Sequence, residues 1–140
     1  VTAYTVDELA VGHVERLEVD VTGDDVSAFA ALSGDRSPLH VDEAFARQRG
    51  FPGRVAHGLL IGAYVSRLVG TRLPGRFGVL QSCELDFRAP LVPPDRIEVT
   101  GTVARVSAGT GQITIDVAVR DSAGRLLASG RMRSLVRPGP

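Results

Sequence analysis

The sequence predicts an α+β fold: a curved antiparallel sheet of about five strands wrapped around one long central helix. Three observations carry this. Gly58 to about Leu68 is apolar on nearly every side; four strand-like runs follow it, separated by turn residues; and one apolar/charged alternation precedes it. The chain has 140 residues, room for a single domain over 1–140 that buries roughly 70% of the surface its unfolded form exposes.

The first strand is Val14 to Val21, where Leu17-Glu18-Val19-Asp20-Val21 alternates with the period of a half-buried strand. Thr22 ends it and caps a short helix, with Asp24 and Asp25 in the first turn where the helix dipole favours negative charge. Val26, Phe29, Ala30 and Ser33 fall at helical spacing, and Gly34 stops the helix. Pro38 then pushes Ser37 out of the α region, so Ser33-Gly34-Asp35-Arg36-Ser37-Pro38-Leu39-His40 is expected to be a kinked loop. In continuous helix, five steps would set Asp35 and His40 about 140° apart on the cylinder; the loop is what can bring them together.

Asp42 caps a second short helix over Glu43 to Ala46, which Gly50-Phe51-Pro52-Gly53 breaks. The apolar character of Gly58–Leu68 predicts burial around most of its circumference. Strands are predicted over Val79–Phe87, Arg96–Val106, Gln112–Arg120 and Arg125–Val136, joined by hairpins that make the sheet antiparallel. Ile97, Val99, Gly101 and Val103 share one face of one strand, as do Ile113, Ile115, Val117 and Val119 of the next. Arg137 to Pro140 is expected to be a frayed tail.

Composition excludes several functions. Sixteen basic residues balance sixteen acidic ones without a basic block, so the electrostatic footprint of a nucleic-acid binder is absent. All basic residues are arginine: without lysine there is no Schiff-base chemistry and no phosphate-loop lysine, and without asparagine no oxyanion donor of that type. No segment reaches the roughly 18 apolar residues of a membrane span. The N-terminal stretch has neither the basic start nor the apolar block of a secretory leader, and Cys83 alone allows no internal disulfide. A cytoplasmic location and a buried, inert Cys83 are the expectations. One Cys and three His lack metal-ligand spacing, and the glycines form no phosphate-cradling motif, so no metal and no bound cofactor are expected.

Chemistry concentrates in two places. Asp35 and His40 place a carboxylate and an imidazole on one proline-braced loop, a pairing suited to proton transfer. His57-Gly58 opens the apolar helix, so a backbone N–H at a helix N-terminus is available to developing negative charge. Together they suggest an enzyme acting on a carbonyl compound.

Ser33-Gly34-Asp35-x-x-Pro38-Leu39-His40-x-Asp42, followed by Val55-Ala56-His57-Gly58-Leu59-Leu60, resembles the MaoC-like, R-specific enoyl-CoA hydratase family across Val14 to Val136. The resemblance implies the hotdog fold and a hydro-lyase that reversibly adds water to a trans-2-enoyl thioester, giving an R-3-hydroxyacyl thioester. It implies Asp35 and His40 as the catalytic pair and the Gly58 N–H as oxyanion donor, with Ser66, His57 and Ser37 in support. Ser37 is a departure, since the family commonly has Asn before the proline. CoA or phosphopantetheine thioesters are the implied substrates, and Arg47, Arg49, Arg54, Arg72, Arg76 and Arg88 are candidates to meet their phosphates. A homodimer is expected, because a lone hotdog unit leaves a sheet edge open. The competing readings are a dehydratase for carrier-bound acyl chains, a hotdog thioesterase, and a non-catalytic acyl-binding subunit. Hotdog thioesterases often carry a carboxylate on the central helix, which Gly58 to Gly70 lacks.

Overall fold

The computed structural model describes residues 1–137, so the end of the expected tail, from residue 138 on, lies outside the described residues. Within them Arg137 is anchored, its N–H donating to the Phe77 carbonyl at 2.8 Å. A 3₁₀ turn at Val6–Glu8 precedes strand β1 (Val14–Val21), helices α1 (Gly23–Ser33), α2 (Pro38–Val41), α3 (Glu43–Gln48) and α4 (Gly58–Thr71), and strands β2 (Gly78–Phe87), β3 (Asp95–Ser107), β4 (Gln112–Arg120) and β5 (Leu126–Val136).

The helix boundaries follow from the capping residues. Thr22 and Asp25 form a reciprocal capping box at the start of α1, and Gly34 ends it at φ 77°, a left-handed conformation that favours glycine. Asp42 caps α3 by accepting from the Phe45 N–H at 3.0 Å. The expected loop between Asp35 and His40 is corrected in part: Pro38 opens a one-turn helix, α2, and His40 lies on it. Proline suits that first helical position because its missing N–H would have had no partner there.

All strand pairs are antiparallel, in the order β1-β3-β4-β5-β2. The turns β3–β4 and β4–β5 are hairpins, as predicted. The proline-rich segment after β2 is instead a crossover, because β2 pairs with β5 at one edge while β3 pairs with β1 near the other. The predicted inner faces hold: Ile97, Val99, Val103, Ile113, Ile115 and Val119 are all fully buried.

Helix α4 lies against this face, burying Leu60, Ile61, Val65, Leu68 and Val69. Close approach is possible because Gly101 has no side chain, and a Cβ there would stand 2.7 Å from Leu68 Cδ2. Burial all round the helix does not occur, since Leu59 is 69% exposed and Ala63, Ser66 and Arg67 face outward in the single chain. Strand β2 is similarly open: Val79, Leu80 and Phe87 are exposed, and so is Cys83, contrary to its expected burial. His13, which has no evident partner in the sequence, lies 3.4 Å from Glu15 and edge-on to Tyr4. No helix among the described residues is long and apolar enough to cross a membrane.

Candidate active site

The segment after α1 supplies the carboxylate. Ser33 Oγ accepts from the Asp35 N–H at 3.1 Å, and Asp35 Oδ1 accepts from the Ser37 N–H at 3.1 Å. Asp35 thus braces its own loop through a side-chain turn. The Ser37 side chain makes no capping bond. Its backbone does the work, its carbonyl accepting from the His40 N–H at 2.9 Å.

His40 is oriented by the stretch before α4. The Val55 N–H donates to the Leu39 carbonyl at 3.1 Å, and His40 Nδ1 lies 2.6 Å from the Val55 carbonyl. A carbonyl only accepts, so Nδ1 carries a hydrogen, and in the neutral tautomer this leaves the lone pair on Nε2. Ala56, next in the chain, donates to the Leu91 carbonyl at 2.8 Å, fixing this stretch to the β2–β3 crossover as well.

His57 is 2% exposed. Its Nε2 donates to the backbone carbonyl of Asp35 at 2.9 Å, and its ring stacks on that of His40 with centroids 3.8 Å apart and planes 26° from parallel. Gly58 follows as the first residue of α4, where the backbone N–H has no intrahelical partner.

Asp35, His40, His57 and Gly58 line one cavity of 340 Å³, closed by Phe29, Ser33, Leu59 and Phe87. One carboxylate oxygen of Asp35 and one ring nitrogen from each of His40 and His57 lie within 4.8 Å of one another. A water hydrogen-bonded at about 2.8 Å to each of two such atoms spans that gap. These are also metal-ligand residue types, gathered by the fold despite their unpromising spacing; each ring, however, has one nitrogen committed to a backbone carbonyl. A second cavity of 350 Å³, lined by Ala56, Gly58, Ile61, Phe87, Arg88, Ala89, Pro90 and Leu91, adjoins the first across Gly58 and Phe87.

A MaoC-like domain profile matches residues 9–124. The chain belongs to the MaoC-like family. A 3-hydroxybutyryl-CoA dehydratase of Methylorubrum extorquens is 42% identical over 100 residues, a match spanning 71% of this chain and 64% of that relative's length. An (R)-specific enoyl-CoA hydratase of Aeromonas caviae is 32% identical over 122 residues, covering 87% of this chain and 91% of the relative. The unliganded R-hydratase structure from Pseudomonas aeruginosa superposes with a TM-score of 0.91 at 30% identity, covering 96% of this chain and 86% of that one. The MaoC-like fold is therefore the hotdog arrangement, as the motif implied.

Not every predicted residue reaches the cavity of this MaoC-like chain. Ser66 is exposed on α4 and does not line it. Arg47 pairs with Glu43, while Arg49, Arg72 and Arg76 are exposed elsewhere. Arg54 is half-buried, donating to the Gly23 carbonyl at 3.1 Å and Ser27 Oγ at 3.0 Å. Arg88 alone of the six lines the adjoining cavity, with a loose 3.5 Å contact to Asp86. Sequence reasoning missed Phe29 and Phe87 as walls; an aromatic closing the β2 run just before Arg88-Ala89-Pro90 was the only local signal for the second.

Proposed function

We propose that the protein hydrates trans-2-enoyl thioesters to R-3-hydroxyacyl thioesters, reversibly, with Asp35 and His40 sharing the reacting water beside the Gly58 N–H. The observation that carries this reading is the convergence of the Asp35 carboxylate and the His40 ring in one cavity that also contains the start of α4. Hydration adds hydroxide to C3 and a proton to C2. His40 Nε2, free because Nδ1 is bonded to Val55, takes a proton from the water as its oxygen attacks C3. Asp35, with one oxygen engaged by Ser37, has the other to hold that water. Electron density passes to the thioester oxygen, where the Gly58 N–H and the helix dipole stabilise the enolate. The pair then returns a proton to C2, and dehydration is the same path reversed.

General acid–base help contributes about 10²–10⁴-fold and a well-placed oxyanion donor about 10²–10³-fold. The competing readings are less well supported. Helix α4 has no carboxylate, which speaks against a thioesterase with its acid there, and a non-catalytic subunit has no need of both Asp35 and His40. CoA or a carrier-borne phosphopantetheine is the thioester arm, and Arg88, which lines the adjoining cavity, is the candidate to meet its phosphate. The expected assembly is a homodimer, in which a second copy covers the exposed apolar residues of β2; sedimentation of the pure protein checks it.

The decisive assay uses Asp35→Asn and His40→Gln with crotonyl-CoA and a panel of longer enoyl-CoA and enoyl-carrier thioesters, with chiral analysis of the product. Both variants should fold as the parent does and lose at least about 10²-fold in kcat. Parental rates in either variant, or an S product, would refute the reading.

A further inference from the structure

We infer that His57 is the positioning residue of this site, holding Asp35 and His40 in register without touching the substrate; the inference rests on the hydratase reading above. Two contacts converge on one buried ring, whose own backbone opens α4. Nε2–H donates to the backbone carbonyl of Asp35 itself, 22 residues earlier in the chain. The ring face packs on His40 at 3.8 Å, and the His57 backbone caps α4 directly before Gly58. One side chain therefore ties the carboxylate's loop and the imidazole's helix to the start of the donor helix, to which His57 is itself joined by a peptide bond.

A proton-relay role does not fit. Nε2–H faces a carbonyl, which cannot take its proton, and Nδ1 is buried with no hydrogen-bond partner among the described residues. At 2% exposure the ring offers a substrate almost no surface, and the Phe29 ring lies 4.9 Å away. What remains to His57 is geometry, and geometry matters here because a shared water must meet two groups and C3 at once.

Two substitutions separate the contacts. His57→Phe keeps a flat ring against His40 and removes the donor to Asp35; His57→Gln carries an amide N–H with a reach similar to Nε2–H and removes the stack. His57→Phe is expected to lower kcat by about 10- to 100-fold, as misplacement of a reacting group by an ångström does. KM for crotonyl-CoA should stay within about twofold, because no binding contact is lost. His57→Gln should recover kcat to within about fivefold of the parent, and adding His57→Phe to Asp35→Asn should cost little beyond Asp35→Asn alone, since the two act as one unit.

The inference is overturned by parental kcat in folded His57→Phe, by a rise in KM at constant kcat, by losses that simply multiply in the double variant, or by His57→Gln falling as far as His57→Phe. Should His57→Phe not fold, His57→Gln decides alone: kcat near the parent supports the donor role, and a collapse in folded protein overturns it. A parent inert toward every enoyl thioester would overturn the hydratase reading and this inference with it. An active parent with an indifferent His57→Phe overturns the inference alone.

Discussion

Gly58→Ala tests the helix start without disturbing the acid–base pair. A Cβ at residue 58 would stand 3.1, 3.1 and 3.2 Å from Cε2, Cζ and Cε1 of Phe87. Carbon atoms settle at about 3.5–4.0 Å, so the new methyl overlaps the ring by roughly 0.3–0.9 Å on three atoms at once. Phe87 is 48% exposed, so the ring can yield toward solvent, and the loss of fold stability should stay below about 1 kcal/mol. The cavity has less freedom: either the ring moves, reshaping both hollows it walls, or the first turn of α4 shifts and takes the Gly58 N–H with it. A shift of about half an ångström at an oxyanion donor should raise the barrier by about 1.4 kcal/mol, a tenfold loss in kcat. Following the disappearance of enoyl absorbance with crotonyl-CoA measures it. Phe87→Leu in the Gly58→Ala background should restore part of the rate by making room for the methyl. A parental rate in Gly58→Ala, or a double variant no faster than Gly58→Ala, would refute the reasoning.

Further expectations concern the supports of the site. Arg54→Met removes bonds to the Gly23 carbonyl and Ser27 Oγ that pin α1, and should cost about 2 kcal/mol in urea denaturation while leaving KM for the CoA substrate unchanged. Asp121 is pushed up by burial, but the Arg125 backbone N–H, the Arg125 guanidinium and the Ala123 N–H outweigh this and hold its carboxyl below the ordinary range. Because the folded-state pKa is lowered, its contribution is complete above the unfolded value of about 3.9 and fades as pH falls; Asp121→Asn should lower thermal stability at pH 7 and much less at pH 3. Gly101→Ala puts a methyl 2.7 Å from Leu68 Cδ2 and 3.1 Å from Ile115 Cγ2, and should lower stability by about 1–3 kcal/mol through overpacking, read from the urea midpoint.

Much of this architecture is local in origin and was legible for that reason. The Thr22–Asp25 box, the Gly34 stop and the Asp42 cap are interactions within four residues, and they set the ends of α1 and α3. Period two placed Ile97 through Val119 on the inner face, because alternation along a strand survives whichever strand lies beside it. Strand order did not follow, because the pairing of β2 with β5 is decided by side chains some fifty residues apart in sequence, as in Cys83 opposite Met132. The same distinction runs through the site. Asp35 and His40 share one short motif, so the sequence alone draws attention to both, and they line one cavity. The bond from His57 to the Asp35 carbonyl and the Phe87 wall against Gly58 are tertiary, and no spacing announced them. The exposed side of α4, which carries Ser66, shows the opposite error: apolar composition was read as burial, yet Leu59 is mostly open to solvent in the single chain.

The position of β5 between β4 and β2 bears on how the chain comes off the ribosome. The strand carrying Phe87 is synthesised well before Leu126–Val136, so it waits without a sheet partner until the last element emerges. A stop codon at the start of Leu126–Val136 would therefore do more than trim an edge: it would strip two strands of their neighbour and unmoor one wall of the site. Any fusion following Val136 should be spaced away from it accordingly, whereas the turn at Ala108–Thr110, remote in sequence from the residues that line the two cavities, is the more forgiving place for an insertion.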